Sequence, residues 1–301
     1  MSRFREEEKK QFVKMVDSLC GRYSRWEIWK DMIWLFATTI SNAVDPRHRE
    51  KREKMYLDIA KHYSKEEMDT FVELFAHLTM SLENGGHRDF LGEVFMELGL
   101  GNDSGGQFFT PYDVCKMMAK ITLSDVMEQV DQRGWISVND PACGAGATLV
   151  AAADIMYNDL HLNYQTSCMF TAQDIDYTTG LMCYIQMSLF GMPGYVHIGN
   201  TLTDPMTGHV LFADGGENTW YTPMYFATPW EMRRQAVRMK AFFQGLEQGV
   251  KEHAPEAWPE PAAPPEPAEP EPVIIQVTEK KTKKPAKKTK PEQITLWEVL
   301  S

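Results

Sequence analysis

Long apolar runs are missing from this chain. None reaches the roughly 18 residues that a membrane-spanning helix needs, so no span is expected. The start, Met1-Ser2-Arg3-Phe4 followed by Arg5-Glu6-Glu7-Glu8-Lys9-Lys10, has no apolar core of the kind a secretory signal carries. Cysteine is sparse. The five residues Cys20, Cys115, Cys143, Cys168 and Cys183 lie far apart and form no pair at metal-ligand spacing. That argues against a disulfide framework and for a reduced, cytoplasmic chain with no structural metal. Positive charge is short as well, with 31 Lys and Arg against 42 Asp and Glu and a formal net charge of −11. Such a chain does not coat nucleic acid unaided, so a grip on DNA needs a local basic patch or a partner.

What is present begins with helices. The 43% hydrophobic content suffices for one sizeable core or two modest ones. Phe12, Met15, Val16 and Leu19 share one face at helical spacing. Ser24 and Glu27 form a capping-box pattern ahead of Ile28, Trp29, Met32 and Ile33, and Pro46 ends that region. Ser64 and Glu67 repeat the signal before Met68, Phe71 and Leu74, and Asp89 to Leu98 reads as a further segment. Residues 1–100 are therefore expected to be a helical domain whose apolar stripes serve packing. Thr110 and Pro111 then read as the N-cap and first turn of another helix.

The centre of the chain is Asn139-Asp140-Pro141-Ala142-Cys143-Gly144-Ala145-Gly146. A β-favouring approach (Trp135, Ile136, Val138) enters it and the helix-forming run Leu149 to Ala153 leaves it. Glycines in such a turn let a ligand approach the backbone, and the following helix offers unpaired N–H groups. Asp140 at the strand end would repel a phosphate and suits ammonium or hydroxyl groups better. A second strand is expected at Met169–Ala172, ending in Asp174, where an acid can accept both ribose hydroxyls. A helix over 178–190 and a strand at Tyr195–Ile198 lead on to Asn200. A nicotinamide dinucleotide is a poor fit, because Leu149 stands where a third glycine is wanted.

Asp140-Pro141-Ala142-Cys143-Gly144-Ala145-Gly146 resembles motif I of the S-adenosylmethionine-dependent N6-adenine DNA methyltransferases, in particular the modification subunits of type I restriction systems. Gly106-Gln107-Phe108-Phe109-Thr110-Pro111 resembles motif X of the same family, and Gly199-Asn200-Thr201-Leu202 resembles motif III. The resemblance implies a Rossmann-like α/β methyltransferase sheet after the helical domain. It also implies S-adenosylmethionine bound by Phe109, Thr110, Asp140, Ala142, Gly144, Gly146, Asp174 and Asn200. Double-stranded DNA is the implied substrate, with a specificity subunit or a second methyltransferase subunit as partner.

The family's catalytic Asn/Asp-Pro-Pro-Tyr/Phe is not here. That motif supplies acceptors for the adenine amino group and an aromatic for the flipped base. No Pro-Pro pair occurs before Pro264-Pro265, and Asn218, Tyr221 and Tyr225 are the remaining candidates for a base pocket. Residues beyond Phe226 are too few for the rest of a seven-stranded sheet, so the sheet is expected to be truncated. Its exposed edge would be covered by the Trp220–Phe226 segment or by a partner. Arg233, Arg234, Arg238 and Lys240 then make a helix locally basic, either for phosphate contact or as a solvated face.

The tail changes character. Residues 253–272 hold eight prolines among Ala and Glu, and Lys280 to Lys290 holds seven lysines. Neither composition builds a core. The end, Gln293-Ile294-Thr295-Leu296-Trp297, resembles the peptide by which bacterial proteins bind the sliding clamp, with Gln293, Leu296 and Trp297 as the contacts. Docking on the chain's own incomplete sheet is the alternative.

The expected organisation is a helical domain over 1–100, a methyltransferase-like domain over 101–248, a disordered linker over 249–291 and a recognition peptide over 292–301. The expected function is adenine methylation in DNA with a partner subunit. The alternative is an inactive, DNA-associated adaptor.

Overall fold

Capping chemistry sets the helix starts in the first hundred residues. The computed structural model describes residues 2–103, 109–213 and 216–252, so the expected C-terminal peptide and nearly all of the expected linker lie outside the described residues. Helix α1 (Ser2–Leu19) buries Phe12, Val16 and Leu19. In α2 (Arg25–Val44) the Ser24 hydroxyl accepts from Glu27 N–H at 3.2 Å while the Glu27 carboxylate accepts from Ser24 N–H at 2.8 Å. Helix α4 (Lys65–Gly85) has the same reciprocal pair in Ser64 and Glu67. Between them α3 (Arg49–Ala60) lacks an apolar stripe, and its one buried residue is Arg52. Two short helices, α5 (Phe90–Glu97) and α6 (Leu100–Asp103), complete the region.

Helix α7 (Tyr112–Thr122) starts one residue later than its Thr-Pro signal suggests. Pro111 takes an extended ψ of 134° and is itself the cap, so Thr110 makes no side-chain cap bond. A short α8 (Val126–Arg133) closes on Gly134 in the left-handed region, φ +77°.

The chain is a mixed α/β protein in which this helical region precedes a small sheet. Strands β1 (Ile136–Asp140), β2 (Cys168–Asp174) and β3 (Gly194–Ile198) are parallel and adjacent in that order. Helices α9 (Ala147–Asp154) and α11 (Tyr177–Leu189) make the two crossovers, with the short α10 (Tyr164–Ser167) ahead of β2. Strand β4 (Thr219–Tyr221) runs antiparallel on the outer edge of β3. The Trp220 segment therefore covers one sheet edge, as expected. Among the described residues no strand covers the other edge, that of β1.

Helix α12 (Thr228–Glu252) follows β4. Two units separate at Arg234, with the described residues up to it in the first and the stretch from Gln235 in the second. In the first unit Arg233 donates to Thr166 O at 2.7 Å, and buried Arg234 donates to Tyr225 O at 2.8 Å. These two arginines thus fasten the start of α12 to the rest of the first unit. No described helix is long and apolar enough to cross a membrane.

Arg52 ties α3 to the sheet. Its guanidinium donates to Ser41 Oγ and to Thr219 O at 2.9 Å, pairs with Asp45 at 3.5 Å, and lies 3.7 Å from the Trp220 ring centre. Burial would raise the Asp45 carboxyl, but hydrogen bonds from His48 and Arg47 outweigh it and hold that group below its ordinary range. Arg52→Ala leaves Asp45 and the Thr219 carbonyl short of a donor in a dry site. A loss of about 3–5 kcal/mol in urea unfolding is expected, with Arg52→Lys falling between the two.

Candidate functional site

The turn after β1 is built from the strand end outward. One Asp140 oxygen accepts from Ala142 N–H at 3.0 Å, and the other accepts from the Thr148 hydroxyl in the first turn of α9. The carboxylate thus bridges strand, turn and helix. Gly144 and Gly146 sit at φ +51° and +93°, where L side chains are strained. Space is the second constraint. A Cβ on Gly144 would stand 3.2 Å from the Phe109 ring, and one on Gly146 would stand 2.8 Å from Cys183 Sγ in α11.

Asp174 ends β2 and faces this turn. One of its oxygens accepts from Gly144 N–H at 2.8 Å, and the other accepts from Asp176 N–H at 2.9 Å and the Thr179 hydroxyl at 3.1 Å. Asp176 is spent as the N-cap of α11, accepting from Thr179 N–H at 2.9 Å. Asn200 follows β3 and is tied in through its neighbours. Gly199 N–H donates to Asp174 O at 2.9 Å, and the Thr201 hydroxyl donates to Pro141 O. The Asn200 amide oxygen accepts from Leu202 N–H at 2.9 Å, a bond that does not use its two amide N–H donors.

Phe109, Asp140, Ala142, Gly144, Gly146 and Asp174 therefore meet at one turn, with Asn200 beside it. Phe109 packs edge-on to Phe95 at 5.4 Å, while Thr110 is exposed. Gln107 and Phe108 lie outside the described residues. The three base-pocket candidates are not brought together. Asn218 lies at the same end of the sheet as the turn, where its carbonyl accepts from Ile198 N–H and its side chain from Tyr177 OH. Tyr221 pairs with Tyr195 towards the opposite end, and Tyr225 packs on Tyr221. Both tyrosines are buried, and Tyr225 OH donates to Leu211 O.

The sequence reading missed what lies beneath the turn. Gln186, fully buried in α11, donates to Ala145 O and to Asp89 Oδ1, both at 2.8 Å, and accepts from Leu91 N–H at 3.2 Å. One amide thus fastens the turn to the start of α5. The only hint was a glutamine inside an otherwise apolar helical pattern. Among the described residues no three His, Cys, Asp or Glu side chains gather to hold a metal.

Residues 89–235, which contain the turn and all four strands, match the family model described as N-6 DNA Methylase. This supports the N6-adenine DNA methyltransferase family for that segment. The chain is also similar to a solved structure, the methyltransferase subunit of a type I restriction-modification system from Streptococcus thermophilus. That likeness is 13% in sequence with a TM-score of 0.38, over 69% of this chain and 61% of the other. At that level it carries no argument about function. No curated protein matches the chain.

Asp89 titrates under this turn. Burial pushes its carboxyl above the ordinary value of roughly 3.9, against the hydrogen bonds from Gln186 and Gly92 N–H that favour the anion. The folded chain therefore holds this proton more tightly than the unfolded chain. The stabilisation is complete below about pH 4 and is lost as the pH rises through the raised value. Asp89→Asn keeps an acceptor and cannot titrate. Its stability relative to the parent should increase in urea unfolding as the pH rises from about 4 and level off above the raised value, and a constant difference would contradict a proton held by burial.

Proposed function

From the match of residues 89–235 to the N6-adenine DNA methyltransferases, we propose that this segment binds S-adenosylmethionine and serves methylation of adenine in DNA. The carrying observation is the convergence of Asp140, Asp174 and two positive-φ glycines on one turn beside Phe109. The residues fit the group. Acids at the turn suit a cation and hydroxyls rather than a phosphate. Gly144 keeps open a space that a Cβ would fill against Phe109. The donors on Asp174 are N–H and O–H groups, not a cation, so a ribose hydroxyl competes on equal terms.

When bound, S-adenosylmethionine supplies an electrophilic methyl group on a sulfonium sulfur. Asp174 would hold the ribose, Asn200 the adenine edge through its amide, and Phe109, Asp140, Ala142, Gly144 and Gly146 the methionine portion. Thr110 is exposed beside Phe109 and would close over the same end. The chain's own contribution is placement, by acceptors and backbone donors fixed before the ligand arrives. The setting is cytoplasmic. Double-stranded DNA and a specificity or second methyltransferase subunit are the expected partners. A sliding clamp is a further one, through Gln293, Leu296 and Trp297, which lie outside the described residues.

One observation favours a second reading. With Tyr221 and Tyr225 buried at the far end of the sheet, the described residues assemble no acceptor set from Asn218, Tyr221 and Tyr225 for an adenine amino group. A non-catalytic, DNA-associated adaptor that keeps the cofactor turn fits that fact.

Calorimetric titration with S-adenosylmethionine tests the first step. Asp174→Ala should weaken binding about tenfold or more, and Asp174→Asn by less, since an amide keeps one acceptor. No heat from a folded sample would end the cofactor reading. Binding without methyl transfer to DNA, alone or with candidate subunits, would favour the adaptor.

A further inference from the structure

Strands inside a parallel sheet are normally apolar along their length, because both faces are covered. Strands β2 and β3 depart from that at their carboxyl ends. Gln173 and His197 are register partners, so their side chains lie side by side on one face, and both are buried. Burying an amide and an imidazole costs free energy unless each finds hydrogen-bond partners. Most of those partners lie in the segment after β3. Gln173 Nε2 donates to Asp204 O at 2.7 Å and to Gly199 O at 3.2 Å, and its Oε1 accepts from Met206 N–H at 3.4 Å. His197 Nε2 lies 3.0 Å from Asp204 Oδ2, and its Nδ1 lies 3.1 Å from the Thr219 hydroxyl. An ionised carboxylate only accepts, so Nε2 carries a proton and donates it to this bond. The approach requires Gly199, since a Cβ there would stand 2.9 Å from Asp204 Oδ2 and 3.0 Å from His197 Nε2.

Burial does not set the path of this segment, because Leu202 to Pro205 are all exposed. Its own backbone makes one tight turn, in which Thr203 and Asp204 N–H donate to Asn200 O at 3.1 and 2.7 Å. That turn is joined to β2 and β3 by the Gln173 amide, by the His197–Asp204 pair and by Gly199 N–H on Asp174 O. Gln173 also reaches the other way. Its main-chain oxygen accepts from Cys143 N–H at 2.9 Å, inside the turn between β1 and α9. One residue thus holds the glycine turn through its main chain and the Asn200 segment through its side chain.

We propose that Gln173 and the His197–Asp204 pair are positioning residues for Asn200, which make the site selective for an adenine over a 6-oxopurine on the cofactor. The inference rests on the cofactor reading above. All three residues act through Asn200, whose amide oxygen already accepts from Leu202 N–H within the same turn. The loop therefore sets the angle of that amide as well as its place. Adenine presents an acceptor nitrogen at N1 beside its amino group, whereas a 6-oxopurine presents N1–H beside an oxygen. An amide held at one place and angle tells these edges apart. An amide on a loose loop turns to suit either, and the discrimination is lost.

Two probes test it on the full chain, S-adenosylhomocysteine and S-inosylhomocysteine, which carry an amino and an oxo group at the same purine carbon. In calorimetry the parent should bind the adenosyl compound about tenfold or more tightly than the inosyl one. Asp204→Ala, at an exposed side chain, and Gln173→Met, close in volume, should each bring that ratio near one. Asp204→Asn keeps an acceptor for His197 Nε2–H and should keep the parent ratio. Without ligand, the amides of Thr203, Asp204 and Met206 should exchange hydrogen about tenfold faster in Asp204→Ala and Gln173→Met than in the parent. Weakening of both compounds by the same factor would indicate a structural role alone and overturn the proposal. Exchange at the parent rate in both variants would overturn it as well. A folded parent that binds neither compound, with fast loop exchange in the variants, would instead sink the cofactor reading and the selectivity along with it.

Discussion

The turn between β1 and α9 has to pass so close to α11 that position 146 has no room for a side chain. An added Cβ there would meet Cys183 Sγ at 2.8 Å and the Cys183 backbone at 3.3 Å. That close approach lets the two crossover helices lie together over the sheet. It also lets Gln186, one turn along α11, reach Ala145 O from below. Asp174 reaches Gly144 N–H from the side, and Asp140 holds the entry and exit of the turn. Each bond presupposes the turn's path. Displace it, and three hydrogen-bonded groups lose their partners together, because they share one backbone segment.

Local chemistry explains which parts of the fold could be read without coordinates. Ser24 with Glu27, and Ser64 with Glu67, announce two helices because a capping box is satisfied within four residues. The strand–turn–helix at 136–154 is legible for the same reason. Helix α3 was not, since nothing in its own sequence marks a buried face. It is held by Arg52, whose partners Ser41, Asp45 and Thr219 are elsewhere in the chain. Strand β4 is three residues long and depends on the edge of β3. The start of α7 was misplaced because the Thr-Pro pattern suits two cap positions, and only the backbone angle of Pro111 distinguishes them.

At the site the divide is similar. The glycines and the acids at strand ends follow from local geometry, so their convergence could be expected. Asp89 and Gln186 could not be paired from sequence, because their contact joins segments 97 positions apart. Tyr221 and Tyr225 illustrate the converse. Aromatics close to a site in sequence were candidates for it, yet an antiparallel strand carries them away from the turn with each residue.

The shortness of the sheet bears on what the site can hold. In open α/β sheets a ligand sits beyond the strand carboxyl ends, where the strand order reverses and leaves a crevice with two walls. Here the order runs one way from β1, so that crevice has one wall among the described residues. The residues proposed for the cofactor all fit on that wall or on the segment before α7. Asp140 comes from the end of β1, Asp174 from β2, Asn200 from β3 and Phe109 from the approach to α7. A cofactor seated there needs nothing from across the crevice. A base presented to it does, because amino-group acceptors have to stand opposite the methyl donor. Among the described residues the sheet therefore supplies the wall on which the proposed cofactor would sit and no facing strand on which a methyl acceptor would be held.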